Sequence, residues 1–404
     1  MKNTNKILVL LMLFNANMCL LSALNKKVNK TWNIAELNQA PNYQIISQKD
    51  GVYGIIYKGT MYKGQKSDVF AYYCTPGILN GDRSLDKNLP AVVCVHGGGG
   101  KAYMQWVKAW AEKGYAAISM DLRGYGPDGL PLPNGFIEID SKTPYFAYNE
   151  NITNDWYYQA VSSVVYAHSL MLSFKEVDSQ KTAITGISWG GIISTLVSGL
   201  DNRFKVACPV YGCGYLYKSG AMAPQIKHLS ELGQQRWKDQ YDPSIYLENI
   251  QIPILFVNGT NDNFFYLDQF SDTYKHVKNK DISIRVGLMH GHQNAWKIPE
   301  IENYIGDKLN VSKTISIVQF ENFKVKDGRI TALLSANVKK AYLSYTLDSI
   351  ISPKAQWVEK EIQTENKTIN CEIPLDFKIC FISVEDEKQN RISTELYFKN
   401  RINN

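Results

Sequence analysis

The sequence predicts an α/β protein in which helices cover both faces of a mostly parallel sheet, followed by a small C-terminal β-sandwich-like domain. Two patterns carry this prediction. Between residues 24 and 310, short continuous apolar runs alternate with segments of helical spacing, as in βαβ units. After Leu309 the runs are strand-like and separated by polar turns, with no strong helix between them. The 404 residues suffice for both parts.

The predicted elements of the first part follow in a regular order. Strands broken by a Lys-Gly turn are expected between Tyr43 and Tyr73. Gly114 ends a helix, and three prolines make residues 124–135 a loop. Further strands are expected at 90–96, 115–121, 181–186, 204–211, 252–258 and 282–288, and helices at 104–113, 156–174, 190–200 and 267–277. Strands in such alternation pair in parallel through right-handed crossovers.

The second part, residues 311–404, predicts a compact β domain. Its strands are expected at 314–320, 329–335, 341–346, 368–373 and 378–384. Cys371 and Cys380 fall in neighbouring strands, so an oxidising compartment would allow them to pair, and the sequence leaves their state open. No exposed aromatic platform is recognisable, so bracing of the first part is favoured over glycan binding as the role of this domain.

Residues 1–23 are typical of an export signal. A short basic start precedes an apolar run at residues 7–14 that is too short to span a bilayer, and cleavage is expected after Ala23. This cleavage removes two lysines and no acidic residue, so the formal net charge falls from +6 to +4. Lipid anchoring at Cys19 is the disfavoured alternative, because the residues before it are not small. The expected location is periplasmic or extracellular.

Composition excludes several classes of function. An excess of 44 Lys and Arg over 38 Asp and Glu is too small at this length to indicate a nucleic-acid partner. No CxxC pair or Cys/His spacing suggests a metal site, and we expect no metal or organic cofactor. No other segment has membrane-spanning length, so no stable membrane insertion is expected after signal cleavage. The oligomeric state is left open.

Ser188 is the candidate nucleophile. It lies in GISWG, a G-x-S-x-G pattern, with KTAITG before it and GIISTLVSG after it. A serine on a tight strand-to-helix turn projects from the carboxyl edge of a sheet, next to a helix N-terminus that favours negative charge. Five residues alone would indicate an ordinary Gly/Ser turn, but the flanking strand and helix favour the nucleophile.

The glycine run after His96 is the candidate oxyanion hole. Gly97 to Gly100 follow a buried strand, and such a run exposes backbone N–H groups where a tetrahedral oxyanion would form. We expect the N–H groups of Gly98 and Trp189 to be the donors, with Gly97 as the alternative to Gly98. A nucleotide loop requires Lys followed by Ser or Thr, whereas Lys101 is followed by alanine. His96 is expected to brace this loop.

Asp262 and His290 complete a predicted triad. Asp262 follows an apolar strand, and the alternative acid, Asp268, falls inside the next helix. His290 follows the last strand of the first part and is preferred as the general base over His292, which lies two residues further on. The order Ser188, Asp262, His290 is that of the α/β-hydrolase fold.

Longer segments resemble one family. WVKAWAEKGYAAISMDLRG, KTAITGISWGG, DNRFKVACPVYGCG, PILFVNGTNDNFFYLDQF and IRVGLMHGHQNAW are similar to secreted bacterial acetyl xylan esterase-like α/β-hydrolases, which are related to dienelactone hydrolases and prolyl oligopeptidase-type hydrolases. The resemblance implies the same nucleophile, acid and base. Two departures concern substrate preference: Tyr158 replaces an expected histidine, and residues 293–295 replace an expected glycine and proline. Both are expected near the pocket.

The predicted function is hydrolysis of a carboxylic ester by a serine nucleophile, on a small-molecule or polysaccharide substrate. An acetyl ester of a carbohydrate is the favoured substrate. Two alternatives remain: a prolyl oligopeptidase-like serine peptidase, which the short segment before the first strands disfavours, and an inactive glycan-binding protein on the same fold. The acyl group and the alcohol of the substrate are left open.

Overall fold

The computed structural model describes residues 31–136, 145–146, 148–311, 317–349 and 351–399. The predicted export signal at residues 1–23, with Cys19, lies outside these residues, as does part of the strand predicted at 314–320. None of the helices in the described ranges combines the length and the apolar character needed to cross a membrane.

The predicted α/β sheet is present. Its strands are β1 Tyr43–Lys49, β2 Val52–Tyr62, β3 Gln65–Cys74, β4 Leu89–Val95, β5 Ala116–Met120, β6 Val177–Ile187, β7 Val206–Val210, β8 Ile254–Gly259 and β9 Lys280–Arg285. Their order is β1-β2-β3-β5-β4-β6-β7-β8-β9. The pairs from β5 to β9 are parallel and those from β1 to β5 antiparallel. The carboxyl ends of β6, β8 and β9 therefore share one edge.

Helices cover both faces of this sheet. They are α1 Ile34–Leu37, α2 Pro76–Asn80, α3 Met104–Ala111, α4 Trp156–Ser173, α5 Trp189–Leu200, α6 Ala223–Lys227, α7 Glu231–Arg236, α8 Leu267–Lys275, α9 His292–Ala295 and α10 Pro299–Lys308. Thr185 and Ile187 of β6 face a cavity bordered by α3 and α10, whereas Gly186 between them lies against α5. Because successive strand residues point to opposite faces, α3 and α10 lie opposite α5.

The C-terminal strands form two layers. They are β10 Phe320–Lys326, β11 Arg329–Leu334, β12 Lys340–Thr346, β13 Trp357–Ile362, β14 Thr364–Glu365, β15 Thr368–Glu372, β16 Ile379–Glu385, β17 Arg391–Ser393 and β18 Tyr397–Phe398. One layer is a four-stranded sheet, β10-β11-β15-β14, and the other contains β17-β16-β12-β13. A buried apolar cluster with members such as Ile330 and Ile382 fills the space between them. The packing is sandwich-like, as predicted.

The two parts are joined at their boundary by a strand pairing that the sequence did not predict. Strand β17 pairs with β9, so one C-terminal layer continues the central sheet. The Ser393 hydroxyl accepts a hydrogen bond from the N–H of Ile284 at 2.9 Å. Strand β9 would otherwise be an open edge, and its coverage by β17 satisfies these backbone groups. Cys371 and Cys380, on β15 and β16, carry free thiols.

Candidate active site

Ser188 occupies a strained turn between β6 and α5. Its backbone has φ 61° and ψ −121°, a conformation that residues with a side chain rarely adopt. Glycines on both sides make the turn possible. A Cβ on Gly186 would lie 2.2 Å from the carbonyl oxygen of Gly190, and one on Gly190 would lie 2.0 Å from the carbonyl oxygen of Val95. The strand-turn-helix predicted from GISWG is therefore present, with the serine at the sheet edge.

The structure brings Ser188, His290 and Asp262 into one hydrogen-bonded chain. His290 Nε2 lies 2.9 Å from Ser188 Oγ, and His290 Nδ1 lies 2.7 Å from Asp262 Oδ2. The other carboxylate oxygen of Asp262 accepts backbone N–H bonds from Phe264 and Phe265 at 2.7 and 2.8 Å. The carboxylate is buried, so its three partners fix its orientation and that of the imidazole.

Aromatic side chains hold the His290 ring in place. The ring centroids of Tyr211 and Phe264 lie 4.5 and 4.7 Å from that of His290. The Tyr211 hydroxyl donates to the carbonyl of Met289 at 2.9 Å, and the Asn294 side chain donates to the same carbonyl at 2.9 Å. Burial raises the pKa of Tyr211, so this hydroxyl keeps its proton and remains a donor. The loop that carries His290 is thus anchored immediately before the imidazole.

Gly98 and Trp189 each present a backbone N–H beside Ser188. Trp189 is the first residue of α5, where a helix leaves its N–H groups unpaired. Neither N–H has an acceptor among the residues that the structure describes. A Cβ on Gly98 would lie 2.5 Å from Trp189 Cδ1, so the two backbone segments approach closely. This close approach is compatible with the predicted oxyanion hole, and the role of the two N–H groups stays a prediction.

The sequence also offered Gly97, His292 and Asp268 as alternative site residues, and each of them has other surroundings in the structure. The N–H of Gly97 donates to Nε2 of His292 at 2.9 Å, so this donor already has an acceptor. The imidazole that contacts Ser188 and Asp262 is that of His290, whereas His292 faces the glycine loop. Asp268 lies in α8, and its buried Oδ1 has no hydrogen-bond partner among the described residues. These contacts are compatible with the preferred member of each pair, and the catalytic roles stay predictions.

His292 and His96 both contact Gly97 in the glycine loop. Burial, together with His96 and His290 nearby, lowers the pKa of His292 to about 4. Burial also lowers the pKa of His96 to about 4, with a smaller contribution from Arg123. His96 lies 2.7 Å from the Gly97 carbonyl through Nδ1 and accepts from the Leu122 N–H at 2.9 Å through Nε2. Both imidazoles are therefore neutral at pH 7, and His96 braces the loop.

A cavity of about 370 Å³ opens over Ser188. Besides the predicted residues, it is lined by Tyr145, Met222, Gln225 and Phe264, which sequence reasoning missed. Met222 and Gln225 lie in the long connection between β7 and β8, which contains α6. No sequence pattern in this connection indicated a pocket. Tyr145 belongs to no recognisable sequence motif either. Its hydroxyl nevertheless accepts a hydrogen bond from the Gly99 N–H at 2.8 Å.

Tyr158 is not part of this pocket, contrary to the expectation from the sequence. Its ring stacks on Trp32 with centroids 5.9 Å apart and an interplanar angle of 7°. Because α4 is buried along nearly all of its length, Tyr158 points into the core instead of the cavity. The other departure, at residues 293–295, does lie beside the site, since Asn294 supports the His290 loop.

Comparison with known proteins identifies two overlapping families. The model of the acetyl xylan esterase family matches residues 31–219, which include the glycine loop and Ser188. The model of the prolyl oligopeptidase family matches residues 146–294, which include Ser188, Asp262 and His290. A curated relative, the uncharacterized peptidase YuxL of Bacillus subtilis (strain 168), is 23% identical over 210 residues. That alignment covers 47% of this chain and only 28% of the relative.

Solved structures support the same fold. The acetyl xylan esterase from Paenibacillus sp. R4 matches with a TM-score of 0.52 and 21% identity, over 68% of this chain and 91% of that protein. Acetyl xylan esterase 1 from Thermoanaerobacterium sp. JW/SL YS485 matches with a TM-score of 0.52 and 15% identity, over 72% of this chain and 94% of that protein. The solved structures show the α/β-hydrolase fold, and the two family matches indicate a serine hydrolase that is similar to acetyl xylan esterases.

Proposed function

We propose that this protein is a serine esterase that hydrolyses small acyl esters of carbohydrates through Ser188, His290 and Asp262. The single observation that carries the proposal is the hydrogen-bonded chain from Ser188 Oγ through His290 to Asp262. Beside it lie the backbone N–H groups of Gly98 and Trp189, which have no acceptor within the described part of the chain. The match to the acetyl xylan esterase family model supports an acetyl ester as the substrate. A cavity of about 370 Å³ is large enough for an acyl group and one sugar ring.

The proposed reaction begins with attack on the ester. His290 Nε2 accepts the proton of Ser188 Oγ, and the oxygen forms a bond to the carbonyl carbon. The carbonyl oxygen becomes an oxyanion and accepts hydrogen bonds from the N–H groups of Gly98 and Trp189. Asp262 holds the imidazole with its proton on Nδ1 and stabilises the imidazolium that forms. The contacts of His290 with Ser188 and Asp262 support this first step.

The tetrahedral intermediate then collapses. The bond from carbon to the alcohol oxygen breaks, and His290 gives its proton to the leaving alcohol, which leaves an acyl group on Ser188. Water loses a proton to His290 and attacks the acyl carbon, and collapse of the second intermediate releases the acid and returns the proton to Ser188. No electron donor, acceptor or other reactant is needed.

The test is hydrolysis of p-nitrophenyl acetate by the wild-type protein and by Ser188→Ala. We expect the variant to lose at least about 10,000-fold in kcat, since removal of a triad nucleophile has this effect. Equal rates for the two proteins would disprove the proposal. Labelling of the wild-type serine by a fluorophosphonate probe separates an active site from an inactive scaffold, which would not react.

A peptidase is the second candidate function, because the prolyl oligopeptidase family model covers the whole triad and the curated relative is described as a peptidase. Acetylated xylan, aryl acetates and feruloyl esters should be compared with proline-containing peptides at equal enzyme concentration. Release of acetate without peptide cleavage supports the esterase. Cleavage of the peptides without ester hydrolysis would favour the peptidase.

We further propose that the protein is exported and cleaved after Ala23, and that residues 24–310 form the catalytic domain and residues 311–404 a bracing domain. The basic and apolar pattern of residues 1–23 supports export. The mass of the protein recovered from a bacterial periplasm tests the cleavage. A mass that includes residues 1–23 would contradict it, and a mass increase from lipid would place an anchor at Cys19.

A further inference from the structure

We propose that His292 is a positioning residue that ties the loop of the general base to the oxyanion loop, defined here as residues 96–100. Its Nε2 accepts the N–H of Gly97, and this bond fixes the peptide unit directly before the one that carries the Gly98 N–H. The inference rests on the proposed esterase mechanism. It gives the two histidines of His290-Gly291-His292 separate tasks, proton transfer for the first and loop alignment for the second.

The contact between His292 and Gly97 is close and specific. Gly97 N lies 2.9 Å from His292 Nε2, and a Cβ on Gly97 would lie 3.0 Å from His292 Cε1. The same Cβ would lie 2.9 Å from Ser188 Cβ, so the Gly97 backbone is held between the nucleophile and the imidazole. The ring of His292 itself packs against Tyr103, with centroids 5.3 Å apart. A packed ring with a single available acceptor fixes the direction of the Gly97 N–H.

A second imidazole holds the other side of Gly97. His96 Nδ1 lies 2.7 Å from the Gly97 carbonyl oxygen, and the Gly100 N–H donates to the same oxygen at 3.0 Å. Since the Leu122 N–H donates to His96 Nε2, the proton of the neutral His96 is on Nδ1 and points to Gly97. The N–H of Gly97 is thus fixed by one histidine and its carbonyl by another. A glycine, the most flexible residue, needs such restraint to keep one conformation.

The arrangement has a direct consequence for Gly98. The Gly97 carbonyl and the Gly98 N–H belong to one planar peptide unit, so a fixed carbonyl direction fixes the N–H direction. That N–H has no acceptor among the described residues, and Gly98 lines the cavity over Ser188. An oxyanion-hole donor is effective only if it is aimed before the charge develops. His292 fixes the N–H side of Gly97 and His96 fixes its carbonyl side, so His292 acts on the Gly98 N–H through the backbone of Gly97, without touching the reacting atoms.

His292 must be neutral to perform this role. Acceptance of the Gly97 N–H requires a lone pair on Nε2, so the single proton lies on Nδ1. Partial burial and the proximity of His96 and His290 both oppose a charge on the ring. Because His290 becomes positively charged during the proposed reaction, a neutral neighbour also avoids repulsion at the moment of proton transfer.

The test compares two substitutions of this residue. His292→Phe keeps an aromatic ring against Tyr103 but removes the acceptor, and His292→Gln restores an oxygen acceptor. With p-nitrophenyl acetate we expect His292→Phe to lose about 10- to 100-fold in kcat with KM changed less than about twofold, since misalignment of about 1 Å can cost 100-fold. His292→Gln should recover most of this loss. Equal losses in both variants would disprove the acceptor role.

Inhibition by phenylboronic acid supplies a readout that a general packing defect would not move. This probe forms a tetrahedral adduct with an active serine, so its inhibition constant should rise in His292→Phe by about the same factor as kcat/KM falls. An unchanged inhibition constant would overturn the inference. Ser188→Ala serves as the control for the proposed function: if that variant retains activity, the esterase mechanism itself fails. If Ser188→Ala is inactive while His292→Phe matches wild type, only the positioning role fails.

Discussion

Asp262 divides its carboxylate between two kinds of partner. Oδ2 contacts His290 Nδ1 at 2.7 Å, and Oδ1 accepts two backbone N–H bonds from the turn that follows. The two amides leave one orientation open to the side chain, so Oδ2 is aimed at the imidazole. Because each oxygen has its own partner, replacement of one oxygen by an NH₂ group should disturb the hydrogen bond to His290.

We expect Asp262→Asn to reduce kcat by roughly 1,000- to 10,000-fold. The amide N–H groups of Phe264 and Phe265 would retain the oxygen of the new carboxamide, which places its NH₂ against His290 Nδ1. The imidazole must then accept at Nδ1 and carry its proton on Nε2, where it cannot accept the proton of Ser188. The measurement is single-turnover hydrolysis of p-nitrophenyl acetate.

Asp268→Asn is the matched control for this substitution. Asp268 was the alternative acid and does not contact His290, so its change should leave kcat within about twofold of the wild-type value. If Asp268→Asn abolished activity and Asp262→Asn did not, the assignment of the acid would be wrong.

The buried His96 should make stability depend on pH between about 4 and 6.5. In the folded protein burial lowers its pKa to about 4, whereas the unfolded chain has the ordinary value of 6.5. Between these values the unfolded state binds a proton that the folded state does not. Acidification through this window therefore costs about 3 kcal/mol of folding free energy, and this stability is fully present above pH 6.5.

His96→Gln isolates this contribution. A carboxamide can donate to the Gly97 carbonyl and accept from Leu122, but it does not titrate. Urea unfolding at pH 7 and at pH 4 should show a smaller loss of stability in the variant than in wild type, by about 3 kcal/mol, since other acidic groups titrate in both. An identical pH dependence in the two proteins would refute the prediction.

The catalytic fold was predictable because its patterns are strong. Continuous apolar runs at β4 and β5 are buried on both faces, which only a central parallel strand requires. The C-terminal strands were harder. β13 has the sequence WVEKEI and is mostly exposed, so it shows no alternation of apolar and polar residues. β17 has only three residues, too few to show the two-residue repeat of a strand. Of the strand predicted at 314–320, the described residues 317–319 are not in a strand, and β10 begins at Phe320.

The candidate site was predictable where a local backbone requirement leaves a mark in the sequence. The turn at Ser188 requires glycines, and these appear as a pattern. Residues that reach the cavity from distant loops, such as Tyr145 and Gln225, leave no such mark, because their positions depend on tertiary packing. The preference for His290 over His292 rested on loop position and on the family resemblance, whereas the separate hydrogen-bond partners of the two imidazoles become visible only in the structure.

The close approach at Gly190 predicts a large loss of stability on substitution. In Gly190→Ala the new Cβ would lie 2.0 Å from the carbonyl oxygen of Val95, and both groups are backbone, so α5 or β4 must move. We expect a loss of about 3 kcal/mol or more in urea unfolding. Ser198→Ala, in the same helix, should cost about 1 kcal/mol through its lost hydrogen bond to Ser194. Similar losses in the two variants would show that the turn tolerates a side chain.

Asn261 links the loop of the proposed acid to the C-terminal part of the chain. Its side-chain Nδ2 donates to the carbonyl oxygens of Pro353 and Ala355 at 2.9 and 3.1 Å, and the residue directly precedes Asp262. These bonds fasten the acid loop to the segment between β12 and β13. In Asn261→Ala the loop loses both, which should cost about 1–2 kcal/mol of stability. Because a mobile acid loop would orient His290 less well, kcat should fall by roughly 3- to 10-fold while KM stays constant.

Asn263→Ala is the control for Asn261→Ala, since Asn263 lies in the same loop but is exposed. Its substitution should change both stability and kcat little. A loss of stability in Asn261→Ala with unchanged kcat would mean that the C-terminal strands support the fold without aligning the acid. A loss of both stability and kcat in Asn261→Ala, absent in Asn263→Ala, would show that the C-terminal part aligns the proposed acid. The Asn261 side chain would carry this effect, because it binds the carbonyls of Pro353 and Ala355 in that part.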